Sequence, residues 1–137
     1  MNPVQNQSSE QKRARYALET IEHHQHKDQA WQARYTSYVK SLPAMILSNG
    51  LGQSMAFFLS KASGEKDSPY GQLYKDIENW LCNPKGLLPE HKNLMTALTA
   101  SDMNAYLAAQ AESLAVLNWL KKFAVAFLHQ EEGGGVD

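Results

Sequence analysis

Apolar residues recur along this chain at intervals of three and four, and no stretch alternates strictly over the length of a strand. Ala14, Ala17, Leu18 and Ile21 form the first such stripe, which predicts an amphipathic helix. Ser8 and Gln11 have the spacing of a capping box that opens it. On a helical wheel Lys12, Tyr16 and Glu19 fall opposite the stripe, with Arg13 and Arg15 flanking it. "EHHQHKDQ" follows as a turn or a frayed helix end. A second helix is predicted from about Asp28 to Ser41, with Trp31, Arg34, Tyr35 and Tyr38 among those on one broad side. Pro43 has no backbone N–H and disfavours helix at Leu42, so the path kinks or restarts there, with Ser41 as a cap. Asn49-Gly50 is a second interruption, after which Leu51, Met55, Phe58 and Leu59 give another amphipathic set.

Downstream, "KASGEKDSPYG" is a loop by composition, and Leu73, Ile77, Trp80 and Leu81 make the next helical stripe. "CNPKGLLP" breaks that stripe, and a short helix from Pro89 carries Leu94, Met95 and Leu98. Thr99 and Asp102 have capping spacing ahead of the longest helix, about Ser101 to Gln130. Its stripe runs from Leu107 through Ala111, Leu114, Leu117 and Leu120 to Phe127 and Leu128, over a length on the order of 45 Å. Sixteen Ala and sixteen Leu against five Val and three Ile support the helical reading. The expected fold is therefore all-α: a single compact helical bundle of five to seven helices, ending in a long C-terminal helix. Residues 1–8 read as a disordered lead, 9–130 as the single helical domain and 131–137 as a flexible tail.

Between Lys40 and Lys61 lie twenty residues without a charge, Ser41 to Ser60, about the length of a membrane span. Six polar side chains, Pro43, Gly50 and Gly52 interrupt the run, and Asn49-Gly50 places a stop at its centre. It reads instead as two short buried helices, with Gly50 and Gly52 allowing a turn or the close approach of another helix. The 137 residues suit one domain, and 43% hydrophobic residues suffice for a core. The formal net charge of -1 favours neither a generally basic nucleic-acid binder nor an acidic tail protein. Cys82 is the only cysteine, which rules out an internal disulfide and fits a reducing, cytoplasmic setting. The polar start "MNPVQNQSSEQKRAR" is not a secretory signal.

Candidate chemistry is sparse. His23, His24 and His26 cluster near Glu19 and Glu22, but no second ligand group appears at the spacing zinc needs, so no metal is expected. Cys82 has His91 nearby in sequence, without the oriented third group that an activated nucleophile requires; a small buried apolar role suits it better. The nucleotide-binding and hydrolase motifs are absent: Gly50-Leu51-Gly52 has neither a preceding strand nor a third glycine. No catalytic residue and no cofactor is expected. Basic residues remain: Lys12, Arg13 and Arg15 in one cluster, Arg34 and Lys40 further on, and Lys121-Lys122 on the last helix. Such groups could neutralise a phosphate backbone without reading bases.

Three segments carry a resemblance. "QKRARYALETI" (Gln11 to Ile21), "YVKSLPAMILSNGLGQSMAFFLSKA" (Tyr38 to Ala62) and "AVLNWLKKFA" (Ala115 to Ala124) together resemble the small helical subunit of the type III-B CRISPR effector, the Cmr complex. The most specific part is "LPAMILSNGLGQ". The resemblance implies an all-α subunit, monomeric in isolation and without catalytic activity of its own. Copies of it stack beside the backbone subunits that hold the CRISPR RNA, and help form the channel for the target RNA. Its implied partners are the other Cmr subunits, copies of itself and the guide–target RNA duplex, with no membrane. By matching position, the candidate RNA-binding residues are Lys12, Arg13, Arg15, Lys40, Lys61, Lys121 and Lys122. A stand-alone helical protein–protein adaptor is the alternative reading.

Overall fold

A computed structural model describes residues 6–131. Among them are six helices and no strand: α1 (Ser9–His24), α2 (Gln29–Asn49), α3 (Leu51–Ala62), α4 (Pro69–Leu81), α5 (Leu94–Ala100) and α6 (Met103–Phe127). Five of the six starts have a local cause. Ser8 and Gln11 form a reciprocal capping box on α1. Asp28, Asn93 and Asp102 cap α2, α5 and α6 through their side-chain oxygens. Ser68 caps α4, with Pro69 in its first turn where a missing N–H costs nothing. The short helix thus starts at Leu94 rather than Pro89, because Asn93 is where the N–H of Thr96 finds its acceptor.

Pro43 does not divide the second helix. α2 continues through it to Asn49, and the expected restart at Ser41 is absent: the Ser41 hydroxyl donates to the Tyr38 carbonyl at 3.1 Å. A proline inside a helix costs about 3 kcal/mol. Here Val39, Leu42 and Ile46 are fully buried on one face around it, and that burial outweighs the lost hydrogen bond. Asn49-Gly50 does end the helix. Gly50 adopts φ +86°, a left-handed conformation that a side chain would strain, and serves as the last cap of α2 and the first of α3. It has no side chain to cap α3, so α6 supplies the acceptors. Gln110 Oε1 takes the N–H of Leu51 at 2.9 Å, and the Tyr106 hydroxyl takes that of Gly52 at 2.8 Å.

The core gathers Ile21 from α1, Tyr35, Leu42 and Ile46 from α2, Leu51, Met55 and Phe58 from α3, Leu73, Ile77 and Leu81 from α4, and Leu117 and Leu120 from α6. The uncharged run buries only one face, through Leu42, Ile46, Leu51, Met55 and Phe58, while Leu47, Phe57 and Leu59 are exposed, so it is not the pair of wholly buried short helices expected; no helix among the described residues is long and apolar enough to cross a membrane. α6 spans about 37 Å at 1.5 Å per residue. Of its predicted stripe Leu117, Leu120, Ala124 and Leu128 are buried, while Leu107 and Phe127 are about half exposed and Ala111 is exposed; Ala109, Ser113 and Val116, outside that stripe, point inward as well. Residues 1–5 of the expected lead, and 132–137 of the expected tail, lie outside the described residues.

Candidate nucleic-acid interface

The first basic cluster lies in a groove of about 690 Å³ between α1, the end of α4 and α6. Lys12, Arg13 and Arg15 line it from α1, joined by Lys85 from the loop after α4, with Tyr16, Trp80 and Leu87 as its apolar parts. The Tyr16 and Trp80 rings pack at 4.8 Å between centroids. Tyr16, placed opposite the core by the helical wheel, is half-buried because α4 covers that side; its hydroxyl donates to the Asp76 carbonyl.

The cations in this groove are not equivalent. Arg13 grips Glu112 with two hydrogen bonds, Nε to Oε2 at 2.7 Å and Nη2 to Oε1 at 2.8 Å, and reaches Glu10 at 2.9 Å. The Trp80 indole N–H donates to the same Glu112 carboxylate at 2.9 Å, so one acid ties α1 and α4 to α6. The Glu112 bond holds the Arg13 guanidinium above its ordinary pKa; Arg13, then Trp80, holds the Glu112 carboxyl below its own. Arg13 is thus engaged as a buttress. Arg15 pairs with Glu19 at 3.2 Å on an exposed face, a pair worth little in water. Lys12 and Lys85 have no ion pair among the described residues.

The remaining candidates lie outside this groove. Lys40 is half-buried on α2. Lys61 ends α3 with its ammonium 5.8 Å from the centre of the Phe57 ring. Lys121 and Lys122 are exposed on α6, and Lys122 reaches Asn118 at 3.3 Å. Lys85 is the groove residue that sequence reading missed; only the close approach of its loop to α1 assigns it.

A different polar centre was also hidden in the sequence. His24, read as part of a polar helix end, is buried, with Nε2 2.8 Å from Asp76 Oδ2. Tyr35 donates its hydroxyl to that same oxygen at 2.6 Å, so the carboxylate is the acceptor and His24 Nε2 the donor. Burial, then the neighbouring Asp76, pushes the Tyr35 and Tyr16 hydroxyls up, keeping both as donors. Glu78, also buried, accepts the N–H of Leu94 at 2.8 Å and holds the start of α5. His23 and His26 stay on the surface. Among the described residues no three His, Cys, Asp or Glu side chains converge at ligand spacing.

Cys82 is half-buried at the end of α4, more open than the sequence suggested, and lines neither this groove nor the 350 Å³ cavity bordered by His24 and Asp76. Burial, then the Glu78 charge, pushes its thiol up, away from the reactive thiolate. Alkylation at pH 8 is expected to be slower in the folded protein than in the urea-unfolded chain. Equal rates would contradict this environment.

Six helices packed around one core, with a basic groove between α1, the end of α4 and α6, define an all-helical domain. The family described as CRISPR-associated protein (Cas_Cmr5) matches residues 9–127, the first residue of α1 to the last of α6. The chain belongs to this family: it is a small subunit of the Cmr, type III-B CRISPR, group, and membership implies association with the other Cmr subunits.

Proposed function

We propose that the protein is a non-catalytic small subunit that stacks along the guide–target RNA of a type III-B effector complex and lines the target-RNA channel in antiviral defence. The observation that carries this reading is the α1 groove, where Lys12, Arg15 and Lys85 stand beside Tyr16 and Trp80 in a chain whose residues 9–127 match the family. Cations around a shallow groove contact phosphates whatever the sequence, which suits a subunit guarding any guide. Arg13 holds the groove's wall rather than the RNA. Lys40, Lys61, Lys121 and Lys122 remain as further phosphate contacts. Leu47 and Met103, 72% and 74% exposed, offer apolar surface to backbone subunits and to further copies. The isolated subunit is monomeric and cytoplasmic in this reading and uses no cofactor.

RNA affinity in the assembled complex is expected to fall steeply with salt. Replacing Lys12, Arg15 and Lys85 together by alanine removes three phosphate contacts, so the slope of log K against log salt flattens by about two to three. The test is filter binding across a salt series. An unchanged slope would remove the groove from the RNA path, and failure to co-purify with Cmr backbone subunits would remove the function itself.

A further inference from the structure

From residue 29 to residue 64 the chain contains no Asp or Glu, yet it carries Arg34, Lys40 and Lys61. α2 and α3 lie wholly within that interval. In a protein with net charge -1, this helix pair is a locally positive, acid-free element. The acids at its margins are engaged or set apart. Asp28 caps α2, Asp67 accepts from Gln72 at 3.4 Å, and Glu65 lies in the loop beside Lys66.

The same pair, together with Tyr70 from the first turn of α4, forms an aromatic cluster that is partly open to solvent. Phe57 is 42% exposed, and Tyr38 and Tyr70 are half-buried beside it. Tyr38 and Tyr70 stack with centroids 3.9 Å apart and planes 14° from parallel. Tyr70 lies 6.4 Å from Phe57 and 5.3 Å from Phe58, each edge to face, so the rings form one continuous cluster. Cations sit at both ends. Lys61 lies over Phe57, and Arg34 lies one helical turn before Tyr38 on α2.

We propose that the Tyr38–Tyr70–Phe57 cluster, flanked by Arg34 and Lys61, is a stacking site for the unpaired bases of single-stranded RNA. Partly exposed rings can stack with bases of any sequence, and cations beside them hold the adjoining phosphates. A duplex, with its bases already stacked internally, would use only the cations. This rests on the RNA reading above and adds to it a second surface with a preference for unpaired nucleotides.

The test uses the full-length protein with a short single-stranded RNA carrying 5-iodouridine, and with the same RNA annealed to its complement. Irradiation is expected to cross-link the single strand to Phe57 or Tyr70. Phe57→Ala is expected to weaken single-strand binding on the order of tenfold while leaving duplex binding unchanged. Because Phe57 lies on the outer side of α3, circular dichroism should report an unaltered helix content. Lys61→Ala should weaken both forms. Cross-links confined to the α1 groove overturn the assignment, as does equal loss for both forms in Phe57→Ala. If Phe57→Ala leaves RNA binding intact but disrupts self-association in sedimentation, the cluster is a contact between copies and the assignment falls. If neither RNA form binds at low salt, the RNA reading itself fails, and this site with it.

Discussion

Replacing Asp76 by alanine is expected to lower the unfolding free energy by about 3–5 kcal/mol, the largest single-residue effect we foresee. Its carboxylate is nearly buried and accepts from both His24 and Tyr35. Alanine removes the shared acceptor of two buried donors, and each donor left without a partner costs roughly 1–3 kcal/mol. The centre joins three helices, since His24 is on α1, Tyr35 on α2 and Asp76 on α4. Tyr35→Phe removes one donor together with its demand and should cost only about 1–2 kcal/mol. In a double-mutant cycle the two changes should couple by more than about 0.5 kcal/mol. Urea unfolding followed by circular dichroism measures all of these. A loss below 1 kcal/mol in Asp76→Ala would mean that the network contributes little. The raised tyrosine hydroxyls also give this centre a pH signature. A folded pKa above the unfolded value stabilises at pH below the unfolded value, near 10, and that contribution is lost as pH rises beyond it.

Arg13→Ala is expected to destabilise the fold by about 2 kcal/mol, whereas Lys12→Ala should change stability by less than about 0.5 kcal/mol. The two residues are neighbours in one basic cluster, but among the described residues the tertiary structure places a carboxylate against Arg13 and none against Lys12. Arg13 and Glu112 form a forked, largely shielded pair that also receives the Trp80 indole. Glu112→Gln weakens both links and should fall between the two alanine variants. The Glu112 carboxyl is held below its unfolded pKa, so the pair contributes fully above the ordinary glutamate range. That contribution is lost as pH falls through the lower, folded value. A thermal-unfolding series from neutral pH to pH 3 should therefore show the gap between wild type and Arg13→Ala closing at the acid end. A constant gap would locate the stabilisation in packing of the arginine stem instead. A triple alanine change that included Arg13 would confuse loss of RNA contact with loss of fold, whereas Lys12, Arg15 and Lys85 have no buried ion pair to lose among the described residues.

Much of the architecture was legible because it is local. The capping box at Ser8 and the stop at Asn49-Gly50 act within a few residues of themselves, whereas Thr99, expected to cap the last helix with Asp102, sits inside α5 and Asp102 alone caps α6. Apolar spacing identified Leu73, Ile77 and Leu81 as inward without a partner being known. Pro43 was misread for the complementary reason. Its local penalty is real, but residues on other helices bury Leu42 and Ile46 on either side of it. The α6 stripe was drawn too wide because periodicity shows which face is apolar, not how much of that face the neighbouring helices cover.

The candidate site divides along the same line. That the chain has basic clusters, one cysteine, a three-histidine run and an uncharged centre follows from the sequence alone, as does the resemblance that family membership supports. Which arginine is held by Glu112, ninety-nine residues away, and which histidine turns inward to meet Asp76, fifty-two residues away, are long-range facts. A charged side chain's role depends on the partner within about 3 Å of it, and packing of distant helices decides that partner. The sequence determined an all-helical chain with cations to offer; the tertiary structure decided which of them the fold uses and which face outward.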